Sequence, residues 1–96
     1  MGAKQDEYKQ FGVFALAGDL TPEQLQEEIR QVLREQGAQE EGVEVRPAGA
    51  GFAGSEVVIA CLPLVIKIVG DLWDTVVLPR IEQRWGRGAL SRSNKA

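Results

Sequence analysis

One segment limits what this chain can fold into. Residues 57–85 read VVIACLPLVIKIVGDLWDTVVLPRIEQRW, a long apolar run broken only by Lys67, Asp71 and Asp74 before its charged end. Taken as a helix, it places Ala60, Pro63, Lys67, Asp71, Asp74, Thr75, Leu78 and Glu82 on one stripe. The rest is apolar: Val58, Leu62, Val65, Val69, Leu72 and Val76 on one flank, with Ile59, Ile66, Trp73, Val77 and Ile81 on the other. That face is wider than an ordinary amphipathic helix needs. Leaving five or six such side chains in water would forgo roughly 10 kcal/mol, at about 1.5–3 kcal/mol each, and would expose an apolar patch that monomers rarely tolerate. The segment is therefore expected to bury itself against a partner. Leu62, Val65, Ile66, Val69, Trp73, Val76, Val77 and Ile81 are the expected interface, with Trp73 as its aromatic anchor.

Two prolines complicate that helix. Pro63 and Pro79 each remove a backbone hydrogen bond from a helix interior. The expectation is one long helix over 55–86, kinked at both; the alternative is a third strand over 57–62, with the helix starting at Pro63. Residues 57–66 are uncharged, but they fall short of the ~20 residues a membrane span requires. Lys67, Asp71 and Asp74 would need a polar lumen. The second reading of the same residues is a membrane-active protein whose 57–78 segment enters lipid after a trigger, with Trp73, Trp85 and the trailing arginines at the interface.

The remaining elements follow from shorter signals. Residues 1–10 read as a mobile arm. Phe11 to Ala17 (FGVFALA) is wholly apolar and is expected as an inner strand covered on both faces. Thr21-Pro22-Glu23-Gln24 combines an N-cap, a proline at the first helical position and a capping-box glutamine. Leu20 and Leu25 stand as a hydrophobic staple. Leu25, Ile29, Val32 and Leu33 then give a helix over 22–36 with one narrow apolar face, stopped by Gly37. Its outward face (Glu23, Gln26, Glu27, Arg30, Gln31, Arg34) is solvated. Val43 to Arg46 alternates like a second strand and ends at Pro47. Strand, helix and strand in this order most simply make a right-handed parallel unit. A small-residue connector fills 47–54, and 88–96 is a basic polar tail. The fold class is small α+β or α/β, a single βαβα domain over 11–87.

Composition narrows the partners. The 96 residues are 44% hydrophobic and 26% charged, as in a globular chain. Residues 1–56 hold five Lys/Arg against eleven Asp/Glu, whereas 57–96 hold six against three. An acidic front and a basic back can orient an association. The blander account is that the arginines favour a helix C-terminus. Net acidity argues against nucleic acid. The N-terminus MGAKQDEYKQ has no apolar signal core, and Asp6 breaks the myristoylation pattern. Cys61 is the one cysteine, so a cytoplasmic location is the expectation.

Chemistry is sparse. There is no histidine, and with one cysteine no metal site is expected. Gly49-Ala50-Gly51-Phe52-Ala53-Gly54 fits G-x-G-x-x-G between a strand and a helix. It lacks room for a completing strand and an acid about twenty residues on, so it reads as a flexible connector and no cofactor is expected. Asp71 and Asp74 share a stripe with Lys67, which makes a solvated ion pair more natural than paired catalytic carboxylates. Cys61 reads as a core thiol. No enzyme is expected.

Across residues 11–87 the pattern resembles the effector-associated constant component family, small α/β domains encoded beside effectors in bacterial conflict systems. The helix with Leu25, Val32 and Leu33, the strand Val43 to Arg46 and the connector Pro47 to Gly54 carry the likeness. The apolar helix Val57 to Val69, closing on Trp85-Gly86-Arg87, completes it. The resemblance implies a non-enzymatic adaptor coupling sensing to an effector and names no site residues. Together these readings give an adaptor or assembly module that forms a homo-oligomer or docks a protein partner through helix 55–86.

Overall fold

The computed structural model describes residues 8–48 and 56–92. Strand β1 (Lys9–Leu16) leads into helix α1 (Pro22–Glu35), and a short 3-10 turn (Glu40–Gly42) leads into β2 (Val43–Pro47). Then come β3 (Glu56–Cys61), helix α2 (Pro63–Leu72), a π turn (Trp73–Val77), helix α3 (Leu78–Trp85) and β4 (Leu90–Arg92). The sheet order is β2-β3-β1-β4, with every neighbouring pair antiparallel. The molecule is thus a mixed α+β unit: a four-stranded antiparallel sheet with two helical segments. Two split β-α-β units interlock, the arrangement known as ferredoxin-like.

This corrects the expected parallel unit in one respect. β1 and β2 do run the same way, since each is antiparallel to β3, but β3 lies between them. The expected single helix over 55–86 is, within the described residues, a strand followed by a helical segment interrupted by a π turn. Residues 57–61 pair with both β1 and β2, and Leu62, with extended φ −67° and ψ 156°, caps a helix whose first residue is Pro63. A proline at that position removes an N–H that has no helical partner anyway. The run Val57-Val58-Ile59 is β-branched and suits a pleated surface. The arm expected over 1–10 gives Lys9 and Gln10 to β1, and residues 1–7 lie outside the described part. The expected tail contains β4, whose Leu90 pairs with Leu16 and is buried. The glycine pattern of 49–54 lies outside the described residues.

α1 forms as its sequence dictates. Gln24 N–H donates to Thr21 Oγ1 (3.2 Å), and Thr21 N–H donates to Gln24 Oε1 (3.0 Å), completing the capping box. Leu20, Leu25, Ile29, Val32 and Leu33 are all buried. Past Gly37 the Ala38 N–H closes on Leu33 O (2.9 Å), ending the helix.

The core lies between one sheet face and the helices. Phe14 and Leu16 of β1, Val43 of β2, Val57, Ile59 and Cys61 of β3 and Leu90 of β4 form that sheet face. The start of α2 packs directly on backbone at Gly42: a side chain there would meet Val65 Cγ2 at 2.5 Å, and Leu62 N–H donates to Gly42 O (2.9 Å).

The long helical segment carries its own irregularity. Its buried residues are Val65, Val69, Trp73, Val77 and Ile81, a strict spacing of four. An α-helix of 3.6 residues per turn would rotate that row steadily off the sheet. The π turn adds the residue that holds it in place, with Leu78 N–H reaching Trp73 O five residues back. It also places Pro79 in the first turn of α3, where its missing N–H is tolerated. No helix among the described residues is long and apolar enough to cross a membrane.

Candidate functional site

The residues the sequence assigns to a partner lie against the protein's own sheet. Val65, Val69, Trp73, Val77 and Ile81 are buried within the chain, Trp73 at 7% exposure and Ile81 at 0%. Leu62, Ile66 and Val76 are partly buried and pack against the same core. Two flanks that looked separate on a regular helix merge into one inward row because the π turn resets the phase. Strands β1, β3 and β4 and helix α1 cover this row, where the sequence suggests only a short sheet. The large apolar side chain left in solvent on this segment is Leu64, at 81% exposure.

The charge asymmetry of the chain is partly satisfied internally. Glu28 on α1 is buried and meets Arg84 and, at 3.5 Å, Arg80, both on α3. Arg80 also grips Glu35 through two bonds of 3.0 and 3.2 Å. Those hydrogen bonds hold the Glu35 carboxyl below its ordinary range and raise the Arg80 guanidinium above its own. Acidic front and basic back thus join two helices of one chain. Within the N-terminal half, Arg34 pairs with Glu40 at 2.6 Å and lowers its carboxyl likewise.

Two surfaces remain. The first is the sheet face opposite the helices. Strand alternation and register place Val13 and Ala15 of β1 and Val58 and Ala60 of β3 there, with Val13 paired to Val58. Glu44 and Arg46 of β2, paired to Ala60 and Val58, form an ion pair of 2.8 Å beside them. No described helix packs on this face, which corrects the expectation of a β1 covered on both sides. The edge strand β2 is blunted, because Val45 N–H donates to Gln26 Oε1 of α1 (2.9 Å).

The second is a pocket of about 380 Å³ at the β4 end of the helix-bearing face. Phe11, Phe14 and Trp73 line it, with ring centroids 4.9–5.9 Å apart. Leu78 and Leu90 extend the apolar wall, and Asp74 and Arg92 supply its charges. The Arg92 guanidinium lies over Phe14 at 4.9 Å and Phe11 at 5.3 Å. Gly12 makes that stacking possible: a side chain there would meet Phe14 Cε1 at 2.9 Å and Arg92 Nη1 at 3.1 Å.

Asp71 shows no ion pair with Lys67, and no cluster of three metal-ligating side chains occurs among the described residues. Cys61 is buried as expected of a core thiol, and desolvation pushes it up to about 12. The pocket residues were hidden from the sequence because Arg92 stands in a polar tail and Phe11 in an all-apolar strand. The signal available was Pro79, which demands a local solution near Trp73 and Asp74. Comparison of the chain with family models, with curated proteins and with solved structures finds no match.

Proposed function

We propose that this chain is a non-enzymatic assembly module that pairs with a second copy of itself across the helix-free face of its sheet. The observation that carries the reading is the apolar centre of that face, the half-buried Val13, Ala15 and Val58, with no described helix over it. Open antiparallel sheets tolerate one solvated face when it is polar, and the centre of this one is not. A second copy suits it for two reasons. The side chains are small, so two such faces approach closely. The face also carries both charge signs, Glu44 and Arg46 on one edge and Glu56 beside Ala15, so a two-fold arrangement sets unlike charges against each other. The resemblance to the effector-associated constant component family supports an adaptor role in a bacterial conflict system. It supports no particular contact residue.

The test is light scattering coupled to size exclusion for the native chain and for Val58→Glu. A discrete dimer that becomes a folded monomer in the variant supports the reading. A native chain that stays monomeric at high micromolar concentration removes it, as does a dimer indifferent to both Val58→Glu and Val13→Glu.

A further inference from the structure

We propose that the pocket bounded by Phe11, Phe14, Trp73, Asp74 and Arg92 binds a free α-amino acid with an apolar side chain. Two unrelated departures from regular backbone converge on it. In β1 the register slips between Gln10 and Gly12, leaving Phe11 as the extra residue of a bulge. Across the pocket, Trp73 and Asp74 belong to the π turn. Bulges re-aim side chains, and both bulges and π turns concentrate at functional sites. Here one delivers an aromatic ring to the pocket and the other delivers a ring and a carboxylate.

The chemistry of the lining selects the ligand. The Arg92 guanidinium carbon lies 4.9 and 5.3 Å from the centroids of two rings, and a guanidinium carries a fork of N–H groups that can hold a carboxylate in two-point fashion. Asp74 accepts from a cation. Among the described residues neither has an ion-pair partner. A simple anion would satisfy Arg92 but face Asp74, and a simple cation would do the reverse. A zwitterion satisfies both at once. Its side chain then meets the half-buried Phe11 and Leu78, with Phe14, Trp73 and Leu90 buried beneath them as the floor. The volume, about 380 Å³, stands at the small end of ligand pockets and suits a single amino acid. The site lies on the opposite side of the sheet from Val13 and Val58, so it does not depend on the assembly proposed above.

Isothermal titration with L-phenylalanine and L-leucine tests this, alongside phenylalaninamide, which lacks the carboxylate, and N-acetylphenylalanine, which lacks the ammonium. The expected result is saturable binding of at least one parent and affinity about tenfold or more weaker for each blocked analogue. Arg92→Gln should no longer distinguish the amide from the parent, and Asp74→Asn should no longer distinguish the acetylated form. A merely structural role would not produce that exchange of preferences. Arg87→Gln serves as the control and should bind like the native chain. No uptake of either parent at millimolar concentration overturns the proposal, as does equal binding of the blocked analogues or equal weakening by Arg87→Gln.

Discussion

Removing Thr75, an exposed residue of the π turn, probes why that turn exists. The deletion leaves Val65, Val69, Trp73, Val77 and Ile81 at spacings that a plain α-helix can bury together. The inward row therefore survives, but Pro79 does not keep its place. It would fall inside a continuous helix, where a proline costs about 3 kcal/mol through a missing bond and a clash with a carbonyl one turn back. For a domain whose whole stability is on the order of 5–15 kcal/mol, that is a large fraction. In urea, with a slope of about 1–3 kcal/mol per molar, the midpoint should fall by roughly 1–3 M. Adding Pro79→Ala to the deletion should recover most of the loss, while Pro79→Ala alone should change little, because the turn is still needed for register. The four proteins form a double-mutant cycle read by far-ultraviolet circular dichroism, with a coupling of about 3 kcal/mol. If the two changes simply add, Pro79 is not what the turn accommodates, and the argument fails.

Three other expectations follow from the same packing. Trp73→Ala should destabilise by about 3–5 kcal/mol, and the loss in urea should not vary with protein concentration, since the ring packs on Phe11 and Phe14 of its own chain. Glu28→Ala should cost about 1 kcal/mol by removing the acceptor of Arg84, since Arg80 keeps both bonds to Glu35, and part of that loss should vanish at high salt, because Arg84 is largely exposed. Cys61 should resist alkylation at pH 8 until the chain unfolds. Its thiol is pushed from an ordinary 9.0 to about 12, so the unfolded chain loses this proton first as pH rises. Stability should accordingly fall above pH 9, by up to about 1.4 kcal/mol per pH unit. Urea midpoints for Cys61→Val should lack that component of the decline.

Local signals in the sequence proved sufficient where the cause is local. Thr21, Pro22 and Gln24 define the start of α1 within four residues, and the row from Leu25 to Leu33 defines its buried face. Val43 to Pro47 announces β2 in the same way. The long apolar run failed as a single helix because its meaning depends on what lies beside it. Val57, Ile59 and Cys61 alternate inward only once β1 and β2 flank them, and no count of hydrophobic residues reveals that. The width of the apolar face was also misleading: a phase computed at 100° per residue cannot anticipate a five-residue turn. β4 is three residues long and two of them are exposed, so it carries almost no pattern of its own. The pocket is assembled from five elements, and only the tertiary fold puts Arg92 over Phe14.

β1 occupies the interior of the sheet, yet it is the first of the described strands. Phe14 is flanked by Val57 on one side and by Arg92 on the other. Both neighbours are synthesised well after Phe14, so the chain holds an apolar strand unpaired until they emerge. Pairings this distant in sequence slow folding, because loop closure is paid before contacts form. The expected behaviour is late, cooperative folding in one step, with FGVFALA the segment most exposed to chaperones and to misassociation while it waits.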